Sequence, residues 1–158
     1  MSRLKTLILL SACLALASCG GGGMVRRVSE PAAGIQQLTV RADGSWAVDV
    51  RINNFSSIPM RFDTISLAMS LGSAQAGTLQ GNAGISIGPE SADVVTLTHS
   101  PTSAARIAMA DALAAQRSIG YVLKGTLNAT PEEGKPRDYT IDRTSSLSPV
   151  PGLPGVMR

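Results

Sequence analysis

The fold is decided by IQQLTVRADGSWAVDVRINN, residues 35–54. Trp46, Val48, Val50 and Ile52 alternate strictly with Ala47, Asp49, Arg51 and Asn53. A repeat of two puts all four apolar side chains on one face of a strand, and Asp43-Gly44 suits the tight turn that joins it to Ile35, Leu38 and Val40 before it. The stretch therefore predicts a β-hairpin whose second strand is half-buried, with Trp46 partly covered.

Working outward, Asn53 to Pro59 is rich in turn-forming residues, and Met60 and Phe62 open the next strand on one face. From Ile65 the apolar series continues as Ile65, Leu67, Met69 and Leu71. A change from even to odd positions needs an extra residue, a bulge or corner near Asp63-Thr64, which would let the strand cross from one sheet to the other. Short strands are predicted at 75–80, 85–87 and 94–98, and alternation resumes through Ile119, Tyr121, Leu123, Gly125 and Leu127. A last strand runs through Tyr139 and Ile141. One segment reads as helix: Ala104 to Arg117, capped by Ser100 or Thr102, with Ile107, Ala110, Leu113 and Ala114 on its apolar face. About seven short strands can bury their faces only by packing two sheets or closing a barrel, so the fold class is all-β, a β-sandwich with one α-helix near the C-terminal third.

The N-terminus carries an address. Arg3 and Lys5 precede an apolar run of about eleven residues from Leu7 to Ala17, shorter than the roughly 20 a membrane-spanning helix needs. Residues 1–18 read as a signal peptide. Leu16-Ala17-Ser18-Cys19 resembles the lipobox of bacterial lipoproteins, which implies cleavage before Cys19 and acylation of its thiol. Gly20 in the sorting position implies an outer-membrane lipoprotein facing the periplasm. Residues 19–30 are then a lipidated flexible tether, 31–147 the folded domain, and 148–158, with three prolines and two glycines, a loose tail.

Charge and chemistry exclude several functions. Of 14 basic residues against 11 acidic, the leader removes two, leaving 12, and apart from Arg26-Arg27 they are scattered singly. No basic stripe exists for nucleic acid. His99 is the single histidine, and Ser100 beside it points the other way in a strand, so a nucleophilic triad is not expected. One histidine without a mature thiol does not make a metal site. Glu132-Glu133 read as a solvated loop pair. Asp138 and Asp142, about 13 Å apart along a strand, are too distant for a glycosidase pair. Gly134-Lys135-Pro136 lacks the rest of a phosphate loop. No catalytic, metal or cofactor residue is expected, and the protein reads as a non-enzyme.

Four stretches carry a family resemblance: residues 35–40, Val48-Asp49-Val50-Arg51-Ile52-Asn53-Asn54, Ile58-Pro59-Met60-Arg61-Phe62, and Ile85-Ser86-Ile87-Gly88-Pro89-Glu90-Ser91. Together, across about residues 31–147, they resemble the group 2 late embryogenesis abundant proteins, the water stress and hypersensitive response (WHy) domain. The family typically has Asn-Pro-Asn where this chain has Asn53-Asn54-Phe55, which leaves the loop less rigid. The resemblance implies an immunoglobulin-like sandwich with one helix and a role in desiccation or general stress. A second reading is a lipid or apolar-ligand carrier at the outer membrane. There Ala68, Ala76, Gly77, Ala83 and Gly84 leave a groove between the sheets or beside the helix that accepts an acyl chain.

Overall fold

A computed structural model describes residues 26–158, so the leader and Cys19 lie outside the described residues. The elements are β1 (Ala32–Val40), β2 (Trp46–Asn54), β3 (Met60–Leu71), β4 (Ala74–Ile87), β5 (Ser91–His99), α1 (Ser103–Ala114), β6 (Ile119–Pro131), β7 (Arg137–Leu147) and β8 (Val156–Met157). They form two antiparallel four-stranded sheets, β5-β2-β1-β8 and β4-β3-β6-β7. The chain is a β-sandwich, as the alternation predicts, with eight strands among the described residues in place of about seven.

The predicted hairpin is β1–β2, pairing Val40 with Trp46 and Ala32 with Asn53. Its turn is held by Asp43, whose carboxylate accepts from the Ser45 hydroxyl and backbone N–H; these bonds keep its carboxyl below the usual range. Trp46, Val48, Val50 and Ile52 all face the core, and Trp46 is 1% exposed, fully covered by the helix side of the molecule, beyond the partial burial expected of it.

The phase change in β3 is real, but its consequence differs from the expectation. Against β6, Phe62 pairs with Ala129 and Ile65 with Leu127, so Asp63-Thr64 oppose one residue. The strand stays in one sheet throughout. The bulge turns Met60, Phe62, Ile65, Leu67, Met69 and Leu71 all inward, which removes any need to change sheets. The two short strands expected at 75–80 and 85–87 are one strand, β4. Gly81-Asn82 remain in register with β3, and extra residues are absorbed as bulges at Ala76-Gly77 and Ala83-Gly84, both glycines having positive φ.

The sandwich has two poles. At one lie Asn54 to Pro59, Gly88 to Ser91 and Pro131, where residues 26–31 enter. At the other lie the Asp43-Gly44 turn, His99, α1 and the C-terminal segment. The two flanks also differ. On one, β4 and β5 meet so closely that a Cβ on Gly81 would sit 2.4 Å from Leu97. On the other, β8 pairs only with Leu38 and Thr39, leaving the outer edge of β1 bare below them.

The tail expected to be loose is tied down. Val40 N–H donates to Gly155 O, Ser148 and Arg158 exchange backbone hydrogen bonds, and Met157 is fully buried. Apolar Val156 and Met157 outweigh the turn-forming residues before them, which merely route the chain back to β1. Met157→Asp should therefore lower the melting temperature by at least about 5 °C; a melt within a degree of the parent would show that β8 contributes nothing.

Candidate functional site

Thr102 fixes the helix. Its hydroxyl accepts from Ala105 N–H and donates to Gln75 O, so the first turn is both capped and pinned to β4. That pin sets the rotation: Ala105, Met109 and Ala112 face the core, small residues on either side of one long one. The expected face of Ile107, Ala110, Leu113 and Ala114 is not the buried one, and Ile107 is 71% exposed. Alanine at so many positions leaves composition unable to choose a face; the tertiary pin chooses.

The rotation opens a groove at the helix pole. Met109, Ala110 and Leu113 form one wall and Val40, Gly44 and Trp46 the other, with Arg106 at the rim, enclosing about 230 Å³ with almost wholly apolar walls. Leu113 also lines an adjoining cleft of about 410 Å³, whose far side is Pro149, Val150, Leu153 and Pro154 of the C-terminal segment. The sequence leaves open a groove between the sheets or beside the helix; the structure has one beside the helix, with different walls. Of the small residues expected to line it, Ala76 is buried, Ala83 packs partly against the core, and Ala68, Gly77 and Gly84 are exposed along β3 and β4. The groove-lining residues of 149–154 were missed because a segment read as loose cannot form a wall. Val150 and Leu153, apolar residues between prolines, were the available signal.

The remaining sequence candidates are accounted for separately. His99, 6% exposed, places Nε2 2.8 Å from Ala76 O beside the Trp46 ring; a carbonyl only accepts, so Nε2 carries the proton and serves structure. Glu132 and Glu133 pair with Arg26. Asp138 accepts from Asn128, and Asp142 pairs with Lys124. These groups do not converge. Tyr139 is buried, and desolvation raises its pKa. Among the described residues no three His, Cys, Asp or Glu side chains are grouped to hold a metal.

Three of the four stretches quoted for the resemblance, those at 48–54, 58–62 and 85–91, meet at the tether pole. Asn54, fully buried, shares its two amide hydrogens among Ile58 O (2.9 Å), Ile87 O (3.1 Å) and Gly88 O (2.8 Å), and its Oδ1 accepts from Ser56 N–H. One side chain thus stitches three of the four stretches. Arg27 N–H donates to Ser57 Oγ and Ser29 N–H to Ser56 Oγ, so the last residues of the segment expected as a flexible tether are fastened to the same loop.

No family model matches the chain. No curated protein matches it in sequence either. Solved structures align with the chain. A protein from Arabidopsis thaliana aligns with a TM-score of 0.51 at 13% identity, over 78% of this chain and 80% of its own. The solution structure of a "putative late embryogenesis abundant (LEA) protein" aligns with a TM-score of 0.49 at 13% identity, over 98% of this chain and 86% of its own. The "putative ApaA protein" from Bordetella pertussis aligns with a TM-score of 0.48 at 15% identity, over 82% of this chain and 99% of its own. The Arabidopsis likeness is one of fold.

Proposed function

We propose that this chain is a non-enzymatic envelope lipoprotein, held to the outer membrane by acyl chains on Cys19 and acting in desiccation protection or envelope structure. The observation that carries this reading is the use to which the WHy-like residues are put. Asn54 and Ser56 spend their polar atoms joining loops and fastening residues 27–29, so the resembling positions maintain a scaffold and its attachment. Several acyl chains at about 0.8 kcal/mol per buried CH₂ would make that attachment nearly permanent.

Cys19→Ser should yield a mature protein without acyl mass that leaves the membrane fraction; an unmodified terminus at another residue in the parent would end the anchoring claim. Protection is tested by drying and rewetting a labile enzyme with the protein. Glu132→Ala and Asp142→Ala should protect as the parent does, since both are exposed and shared by no site.

The carrier reading is favoured by one observation, the apolar groove between α1 and the hairpin. Against it, Val48, Val50, Leu67 and Leu123 are fully buried, so an acyl chain would lie in the groove and not between the sheets. Mass spectrometry for lipid carried through purification separates the two: bound lipid supports the carrier, an empty and protective protein the scaffold.

A further inference from the structure

The bare edge of β1 forms a second cleft, of about 310 Å³, between β1 and β7. It exists for local reasons. Gln36 is the unpaired residue of a bulge, since Ile35 opposes Val50 while Gln37 opposes Asp49. Gly34 has no side chain where a Cβ would lie 3.3 Å from the Tyr121 hydroxyl and 3.7 Å from Arg143 Nε.

Its lining is one-sided in charge. Arg51 from one sheet and Arg143 from the other both face it, no acidic side chain lines it, and neither arginine is in an ion pair among the described residues. Arg51 has only a long contact to Gln36 Oε1, at 3.5 Å. Of the other described arginines, Arg26, Arg27, Arg61 and Arg117 pair with acids, whereas Arg41, Arg106, Arg137 and Arg158 do not; Arg51 and Arg143 differ from these four in lining one cleft together. Tyr121, 2% exposed, accepts from Ile35 N–H at 3.1 Å, and its own proton meets no acceptor among the described residues. A buried hydroxyl with an unused donor, beside two unpaired guanidinium groups, is a set of donors lacking an acceptor. Ala33 and Ile35 form an apolar floor, and Phe55, 51% exposed, stands at the rim.

We propose that this cleft binds an oxyanion, a carboxylate or phosphate, carried on a short apolar body: the oxyanion between Arg51, Arg143 and the Tyr121 hydroxyl, the apolar part against Ile35 and Phe55. Guanidinium groups suit both anions because their paired N–H donors match two oxygens at once. The cleft is separate from the groove beside α1 and stands whether or not that groove holds lipid.

The test titrates the full chain with phenyl phosphate and with benzoate at low salt, by calorimetry and by perturbation of backbone amide resonances. Shifts should cluster at Gly34, Gln36 and Ser145. Arg143→Gln and Arg51→Gln should each weaken binding about tenfold or more, as expected for a charge-assisted contact. Gly34→Val should abolish it by filling the cleft, while Arg41→Gln, at the far pole, should leave it unchanged. Vesicles of phosphatidylglycerol that displace phenyl phosphate would identify the natural anion as a lipid headgroup; vesicles without effect would identify a soluble one. No binding by either probe, or equal binding by Arg143→Gln with an unchanged melt, overturns the proposal.

Discussion

Gly125→Ala should cost more than about 4 kcal/mol, the range reached only when backbone or core geometry is violated. Gly125 lies opposite Leu67 on β6, beside the central strand β3, and a Cβ there would sit 2.1 Å from Ser66 O and 3.1 Å from Leu67 Cα. Both atoms belong to a backbone fixed by β4 on its other side, so no side-chain rotation relieves the overlap. Against a total stability of roughly 5–15 kcal/mol, much of the population should unfold at 37 °C. Gly120→Ala on the same strand is the control. Its nearest contact would be Ser145 O at 3.8 Å, and it should melt close to the parent. Urea unfolding of the two variants checks the pair; equal midpoints would mean that the sheet yields where it is drawn as rigid.

Asn54→Ala should cost about 3–5 kcal/mol, because it leaves three carbonyls and the Ser56 N–H without their partner in a buried loop. Asn54→Asp adds a diagnostic pH dependence. Only a protonated carboxyl can donate to these carbonyls, and burial among oxygens raises its folded pKa above the unfolded value. Stability then falls as pH rises through and above the ordinary carboxylate range, and the variant should recover as pH is lowered toward it. Melting temperatures between pH 4 and pH 7 that run parallel to those of the parent would show that Asn54 carries no such load.

The sequence makes the strands legible where one face is buried and the other wet, as in Trp46 to Ile52, because alternation is then enforced by both solvents. It does not show where a strand bends. Gly125 reads as one more member of an alternating series, yet it is the point where β6 passes too near β3 for any side chain. Helix rotation was equally hidden, since Thr102 settles it through Gln75 O, a contact 27 residues distant. The Arg51 and Arg143 cleft could not be read at all, as its walls come from strands that meet only through the packing of two sheets.

The glycine bulges of β4 have a further consequence when molecules of this protein are crowded together. β4 is a 14-residue strand at the rim of its sheet, long enough to recruit a neighbour's strand when loss of water drives molecules together. Gly77 and Gly84, with φ of 100° and 58°, break its outward row of hydrogen-bonding groups into short, differently aimed lengths. A rim so interrupted offers no continuous template, so crowding need not end in aggregation.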